Sequence, residues 1–341
     1  MISESKRLHF LDALKGFAII LVVAGHLMIR LGISGYDNVL WTFIVSLHLP
    51  LFFFVSGYFA ENKVSRLNVI AKKAQLLLLP GIIFFILYTI YKGGSPLSFL
   101  KYGFQEYWFT FVLFEMFLIY FLCSSCFGRL QYVLMIILSI LGIGFLMAPT
   151  LRGGGRIDTI LCLENLAKYL QFFTLGICCK KYNSLIFNIL QKDFIKATLL
   201  ILYIISFYIC FNTSLQSNCA IIYKLNHDII FKYLGVFVIL SFFIYKAVYF
   251  QSNMIISRSM VFIGQRTLDI YLIHYFLLPS TITLPESLKS NSAWYFQLLI
   301  LLVLTITVIG GSLLISNVIR MSSHMSTILL GARKTKKSTD D

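Results

Sequence analysis

LKGFAIILVVAGH, residues 14–26, is an almost wholly apolar run with a lysine near one end and a histidine at the other. A helix turns about 100° per residue, so the eleven residues between Lys15 and His26 come to roughly 20° beyond three full turns. The two side chains share one helix face, roughly 16 Å apart along the axis. A run this long and apolar reads as a membrane span, and ionisable groups within a span normally face a cavity and mark a site. The bland alternative stays open: Lys15 reaching back to lipid headgroups and His26 bonding a neighbouring helix.

Similar runs recur along all 341 residues, of which 58% are apolar and 13% charged, with a mean hydropathy of +0.84. Ordinary soluble chains carry roughly 25% charged residues. The pattern predicts an all-α, polytopic membrane protein of ten helices in one bundle, near 12–31, 38–60, 75–92, 106–125, 131–149, 162–179, 195–212, 229–249, 259–280 and 294–318. The runs do not alternate, which argues against a β-barrel. Connections are short, so the chain reads as one domain over 1–330. Residues 331–341 form a polar tail expected to be disordered and cytoplasmic.

The formal charge of +15 lies in cations between the apolar runs. With the N-terminus in the cytoplasm and ten spans, twenty Lys and Arg fall inside and nine outside. That bias predicts both termini on the cytoplasmic side of an inner membrane. It accounts for the basic balance without a nucleic-acid partner, and no RNA-binding or zinc-finger spacing is present. Cys123-x-x-Cys126 stands without a second pair, and Cys178-Cys179 lies in an apolar run. The seven cysteines read as packing residues, with no metal expected. The first run is long for a signal h-region and keeps polar groups, so it reads as retained.

Three further spans carry candidate groups. SLHLPLFFFVSGYF (46–59) places His48 near mid-membrane, two residues before Pro50, which opens the local helix bonding. EYWFTFVLFEMFLIY (106–120) buries Glu115 among aromatics, where it needs a partner or a proton; a structural ion pair is the alternative. FIGQRTLDIYLIHYF (262–276) holds His274 and an Asp269 spaced to pair with Arg266 at i, i+3. His9, His227 and His324 are assigned no role. No GxSxG, P-loop or HExxH occurs.

Taken together these pieces resemble the acyltransferase 3 family. RLHFLDALKGFAIILVVAGH (7–26) is similar to its opening signature through Arg7, Leu11-Asp12, Lys15-Gly16 and His26. His48 through Gly57 is similar to its His-x-Pro-Leu-Phe-Phe…Ser-Gly signature. AKKAQLLLLP (71–80) matches a third, basic signature in part; Gln75 to Leu79 lack the further cation common near that proline. The Trp-Phe opening of the fourth span and GQRTLDIYLIH of the ninth also look familial.

The resemblance, to the stand-alone form of the family, implies a ten-helix membrane O-acyltransferase. It would move an acyl group, usually acetyl from acetyl-CoA, to a hydroxyl of an envelope or surface glycan or its lipid-linked precursor. No cofactor would be held permanently; acyl-CoA would be the donor substrate, with membrane lipid as surroundings. The family's functional pair carries over to Lys15 and His26: Lys15 toward CoA phosphate, His26 as base. Glu115 is the third catalytic candidate; His48, Lys72, Lys73 and His274 are candidates for binding substrate or donor. Two other classes compete. A flippase or exporter of lipid-linked sugars would transport without His26, and a membrane scaffold would tolerate apolar residues at Lys15 and His26.

Overall fold

Apolar runs without β-alternation form helices, and the computed structural model of the protein is helical, with no strand among the described residues. Those are residues 9–35, 37–60, 66–148, 156–211, 220–280, 284–290 and 293–331. Arg7 and the polar tail beyond Gly331 lie outside them.

In chain order the main helices are α1 (His9–Leu31), α2 (Val39–Tyr58), α3 (Arg66–Lys73), α4 (Leu79–Tyr91), α5 (Trp108–Phe127), α6 (Gln131–Met147) and α7 (Leu163–Lys181). They continue with α8 (Asn183–Leu190), α9 (Asp193–Cys210), α10 (Ala220–Leu225), α11 (Phe231–Tyr245), α12 (Ile255–Gln265), α13 (Thr267–Leu277), α14 (Trp294–Arg320) and α15 (Ser323–Leu330). Wide π-turns join α3 to α4 over Ala74–Leu78 and α10 to α11 over Asn226–Ile230. Pro80 accounts for the first: it has no N–H to offer the carbonyl of Leu76, and its ring crowds that carbonyl.

Seven helical stretches among the described residues are long and apolar enough to cross a membrane. They are His9–Leu31, Val39–Tyr58, Asn68–Tyr91, Gln105–Met147, Asp193–Cys210, Ala220–Tyr245 and Trp294–Arg320. The protein is therefore a multi-pass membrane protein, with seven such stretches where the sequence predicts ten spans. One stretch is longer than one crossing needs. Gln105–Met147 holds 43 residues, about 65 Å of helix against a hydrocarbon core of about 30 Å. It is broken at Gly128, whose φ of +49° suits glycine. The expected sixth span is α7, whose mixed polar face falls short of the same standard. The expected ninth is not one helix: it stops at Arg266 (φ −113°, ψ 18°) and restarts as α13. Helices α6, α9 and α14 leave Ile140, Leu141, Ile204, Val303 and Ile306 more than half exposed. In water that would be an aggregating surface; against lipid it is the expected outer face.

The single domain read from the sequence falls into two compact units that interleave along the chain. The first comprises residues through Glu61, Lys168–Thr267 and Leu278–Ile309; the second comprises Asn62–Ala167, Leu268–Leu277 and Gly310 onward.

In the first unit, Asn38 caps α2 by accepting from the backbone N–H groups of Leu40 and Trp41 (2.9 and 3.1 Å). Its amide donates to Gln297 at 2.8 Å. Two crossings have no room for a side chain. A Cβ on Gly16 or Gly264 would overlap the facing backbone of α12 or α1, and a Cβ on Gly57 or Gly176 would do so between α2 and α7. Close backbone approach of this kind is how membrane helices gain packing contact where no hydrophobic force separates helix from lipid. Both signature glycines, the one after Lys15 and the one after Ser56, are thus crossing points.

The second unit is organised by aromatic rings. Tyr88, Tyr107, Tyr271, Tyr275 and Phe276 meet with centroids 5.3–6.2 Å apart. Buried phenols in this group donate to backbone: Tyr107 to the Leu272 carbonyl at 3.0 Å and Tyr271 to the Glu106 carbonyl at 2.9 Å.

Candidate active site

Lys15, His26 and His48 fall in the first unit; Lys72, Lys73, Glu115 and His274 fall in the second. Helix α1 runs unbroken from His9 to Leu31, so Lys15 and His26 do share one helix.

The lysine is not a bare cation. Its Nζ lies 2.6 Å from Asp12 Oδ1, one turn back, and 5.9 Å from the centre of the Phe59 ring. Asp12 is buried, whereas the Lys15 side chain is 25% exposed. A phosphate meeting Lys15 would share it with this carboxylate. The i, i+3 spacing of Asp12 and Lys15 was the available signal.

His26 is half-buried and follows Gly25, which stands against the Ile44 side chain of α2. The Ile44 carbonyl in turn holds His48, with Nδ1 at 2.7 Å. A carbonyl can only accept, so Nδ1 carries the hydrogen and Nε2 keeps its lone pair. His26 and His48 thus sit on two helices that meet at Gly25 and Ile44. Pro50 removes the N–H that would have bonded the Ser46 carbonyl. Ser46 Oγ donates to the Phe43 carbonyl at 2.8 Å and contacts the Tyr203 hydroxyl at 2.9 Å, fixing α2 to α9.

Sequence reasoning missed a charged group at the second π-turn. Lys232 of α11 is 1% exposed, and its Nζ lies 3.2 Å from Asp228 Oδ1. His227 Nδ1 lies 3.1 Å from the same oxygen. Lys168 of α7 is within electrostatic range of His48, Asp228 and Lys232, and Lys232 is within range of His48. Two cations thus lie within electrostatic range of an imidazole the sequence had singled out. The i, i+4 order of Asp228 and Lys232 was legible; their closeness to His48 was not.

In the second unit, Lys72 is exposed and Lys73 Nζ lies 3.7 Å over the Phe117 ring. Glu115 is half-buried, and its Oε2 is buried without a hydrogen-bond partner among the described residues. His274 is fully buried. Its Nδ1 meets the Ile270 and Tyr271 carbonyls of its own helix at 3.1 and 2.7 Å, and its ring lies 4.1 Å from that of Tyr275. Asp269, spaced to meet Arg266, meets Arg320: Nε and Nη2 donate to its two oxygens at 2.9 Å each, and Ser316 Oγ donates at 2.5 Å.

Helices α1 and α2 carry two imidazoles and a lysine, and α5 carries a carboxyl. Such groups suit proton transfer during attack of a hydroxyl on an acyl donor. The acyltransferase 3 family model, described as an acyltransferase domain, matches residues 8–316, and the chain belongs to that family. It is accordingly a membrane acyltransferase, and membership lends no support to the flippase reading. No curated protein and no solved structure matches it.

Proposed function

We propose that the protein transfers an acyl group, acetyl from acetyl-CoA, to a sugar hydroxyl of an envelope or surface glycan or its lipid-linked precursor. The supporting observation is the family match over residues 8–316, with Lys15 and His26 on the continuous helix α1. His26 takes the hydroxyl proton as the sugar oxygen attacks the thioester carbonyl. The carbon–sulfur bond then breaks, and the departing CoA thiolate takes that proton from the imidazolium. Lys15, held by Asp12, steers the CoA phosphates at the inner end. His48 orients the acceptor or its attacking group. Glu115 serves the acceptor side, and Lys72 and Lys73 attract the anionic donor.

Ten spans with both termini cytoplasmic in the inner membrane would put Lys15 on the donor side and His26 toward the outside, following the distribution of loop cations. A reporter active only in the cytoplasm should work when fused after Arg333 and fail within residues 152–158; the reverse would invert the site. The chemistry is tested by mass spectrometry of envelope glycans from cells with and without the protein. One acetyl per repeat unit should appear only with it. Identical spectra would sink the reading.

A further inference from the structure

The first unit carries cations at two levels. At one, Lys15 Nζ lies 5.9 Å from the Phe59 ring, Phe59 lies 5.5 Å from Tyr58, and Lys180 Nζ lies 5.2 Å from Tyr58. The other is reached along α7 from Lys180 back to Lys168, about 18 Å of helix. There Tyr169, next to Lys168, stacks on Phe53 of α2 with centroids 5.0 Å apart. Phe172, one turn on from Lys168, meets Tyr233 of α11 at 4.9 Å. Tyr233 follows Lys232, and one turn past Lys232 Gly235 stands against Leu47, the residue before His48. Two ring pairs and a glycine crossing thus join α2, α7 and α11 at the turns that carry His48, Lys168 and Lys232. The three side chains lie within electrostatic range of one another.

Charge at this second level does not balance. Lys232 is 1% exposed, and its ammonium has three N–H groups to place. Asp228 takes one at 3.2 Å, and Lys232 makes no other hydrogen bond among the described residues. Asp228 is itself shared, with His227 Nδ1 3.1 Å from the same oxygen. Lys168 makes no ion pair among the described residues, Glu164 one turn earlier on its helix included. One carboxylate therefore answers two ammonium groups. Residues 212–219, which lead into α10, contain no Asp or Glu. His48 is half-buried, and its Nε2 makes no hydrogen bond among the described residues.

A buried excess of positive charge in a membrane protein is costly, and such groups mark the path or site of a charged ligand. A carboxylate or phosphate would take charge-assisted hydrogen bonds from the two spare N–H groups of Lys232. Position says which substrate carries it. His26 lies about 16 Å along α1 from Lys15. Gly25 beside it stands against Ile44, whose carbonyl holds His48. The excess charge is therefore on the side of the base, away from the cations around Lys15.

We propose that Lys168 and Lys232, with His48, form a subsite for an anionic group of the acceptor, either a sugar carboxylate or the phosphate that joins a sugar to its lipid. That the anion belongs to the acceptor rests on the acyl-transfer reading above; its binding at these residues does not.

The test is saturation-transfer NMR on the full chain in nanodiscs of zwitterionic phosphatidylcholine, which offers no competing anionic lipid. The probes are methyl glucuronide for the carboxylate, glucose 1-phosphate for the phosphate, and methyl glucoside as the uncharged counterpart. At least one anionic probe should bind about tenfold or more tightly than methyl glucoside, and the one that does identifies the source. Lys168→Gln should weaken that binding at least fivefold and leave methyl glucoside unchanged. Asp228→Asn, which removes the competing carboxylate, should tighten it. Lys180→Gln, about 18 Å away on the same helix, should not alter it. Equal binding of charged and uncharged probes overturns the proposal, and so does anion binding that Lys168→Gln leaves intact. Unchanged or weaker anion binding per folded Asp228→Asn molecule overturns it too; if that variant does not fold, Lys168→Gln decides alone. Anion binding that depends on Lys168 while no acetyl reaches any glycan overturns the acyl-transfer reading and leaves an anion site.

Discussion

Helices α1 and α13 carry the same kinds of residue, an aspartate, a histidine and neighbouring apolar bulk, and use them in opposite ways. On α1 the aspartate pairs with a lysine three residues on, and the histidine stays half-buried. On α13 the aspartate pairs with Arg320, 51 residues away, and the histidine is sealed. The first arrangement is local and leaves groups within reach of a ligand. The second is long-range and fixes packing. Residue type and helical spacing do not separate these cases; exposure and the distance to the partner do.

The contrast breaks first at the histidines. His26→Ala should cost acyl transfer about 100-fold or more, the usual loss for a general base, with the protein still extracted as a monodisperse species. His274→Phe should leave activity per folded molecule within a few-fold. Comparable losses in both would end the distinction. Next come the aspartates. Asp269→Ala strands Arg320 beside a buried gap and should cost about 3 kcal/mol of stability, read as a lower melting temperature in detergent. Asp12→Asn, next to a partly exposed lysine, should cost less than about 1 kcal/mol. Gly57→Ala sharpens the packing side: the methyl meets the Phe173 backbone, and overpacking costs about 1–3 kcal/mol. The smallest effect is kinetic. Releasing Lys15 from its pair by Asp12→Asn should lower the acetyl-CoA KM a few-fold if Lys15 meets the phosphates, while Lys15→Ala should raise it. An unchanged KM in both would remove Lys15 from the donor site.

The helical, membrane-embedded character of the chain was readable from its apolar runs, because each run is one element and its period is local. So was the placement of Lys15 and His26 on one continuous helix. The break at Arg266 was not, since neither Arg266 nor its direct neighbours Gln265 and Thr267 is a glycine or proline. Nor was the division into two units, because both draw on distant segments of chain. Within the candidate site, Asp12 and Lys15 advertise their pairing by spacing. The approach of Lys168 and Lys232 to His48 depends on how α2, α7 and α11 pack, which no one-dimensional pattern encodes.

The interrupted ninth segment also bears on how the protein is made. Each half has 11 residues, about 16 Å of helix, too short to cross the hydrocarbon alone. When α12 leaves the ribosome, α1 already exists, and Gly16 offers Gly264 its close contact at once. Asp269 has no such luck: Arg320 is synthesised 51 residues later, about 3–10 s at ordinary elongation rates. Until then the ion pair between α13 and the last long helix cannot form, so this half-helix reaches its final setting only after that helix emerges.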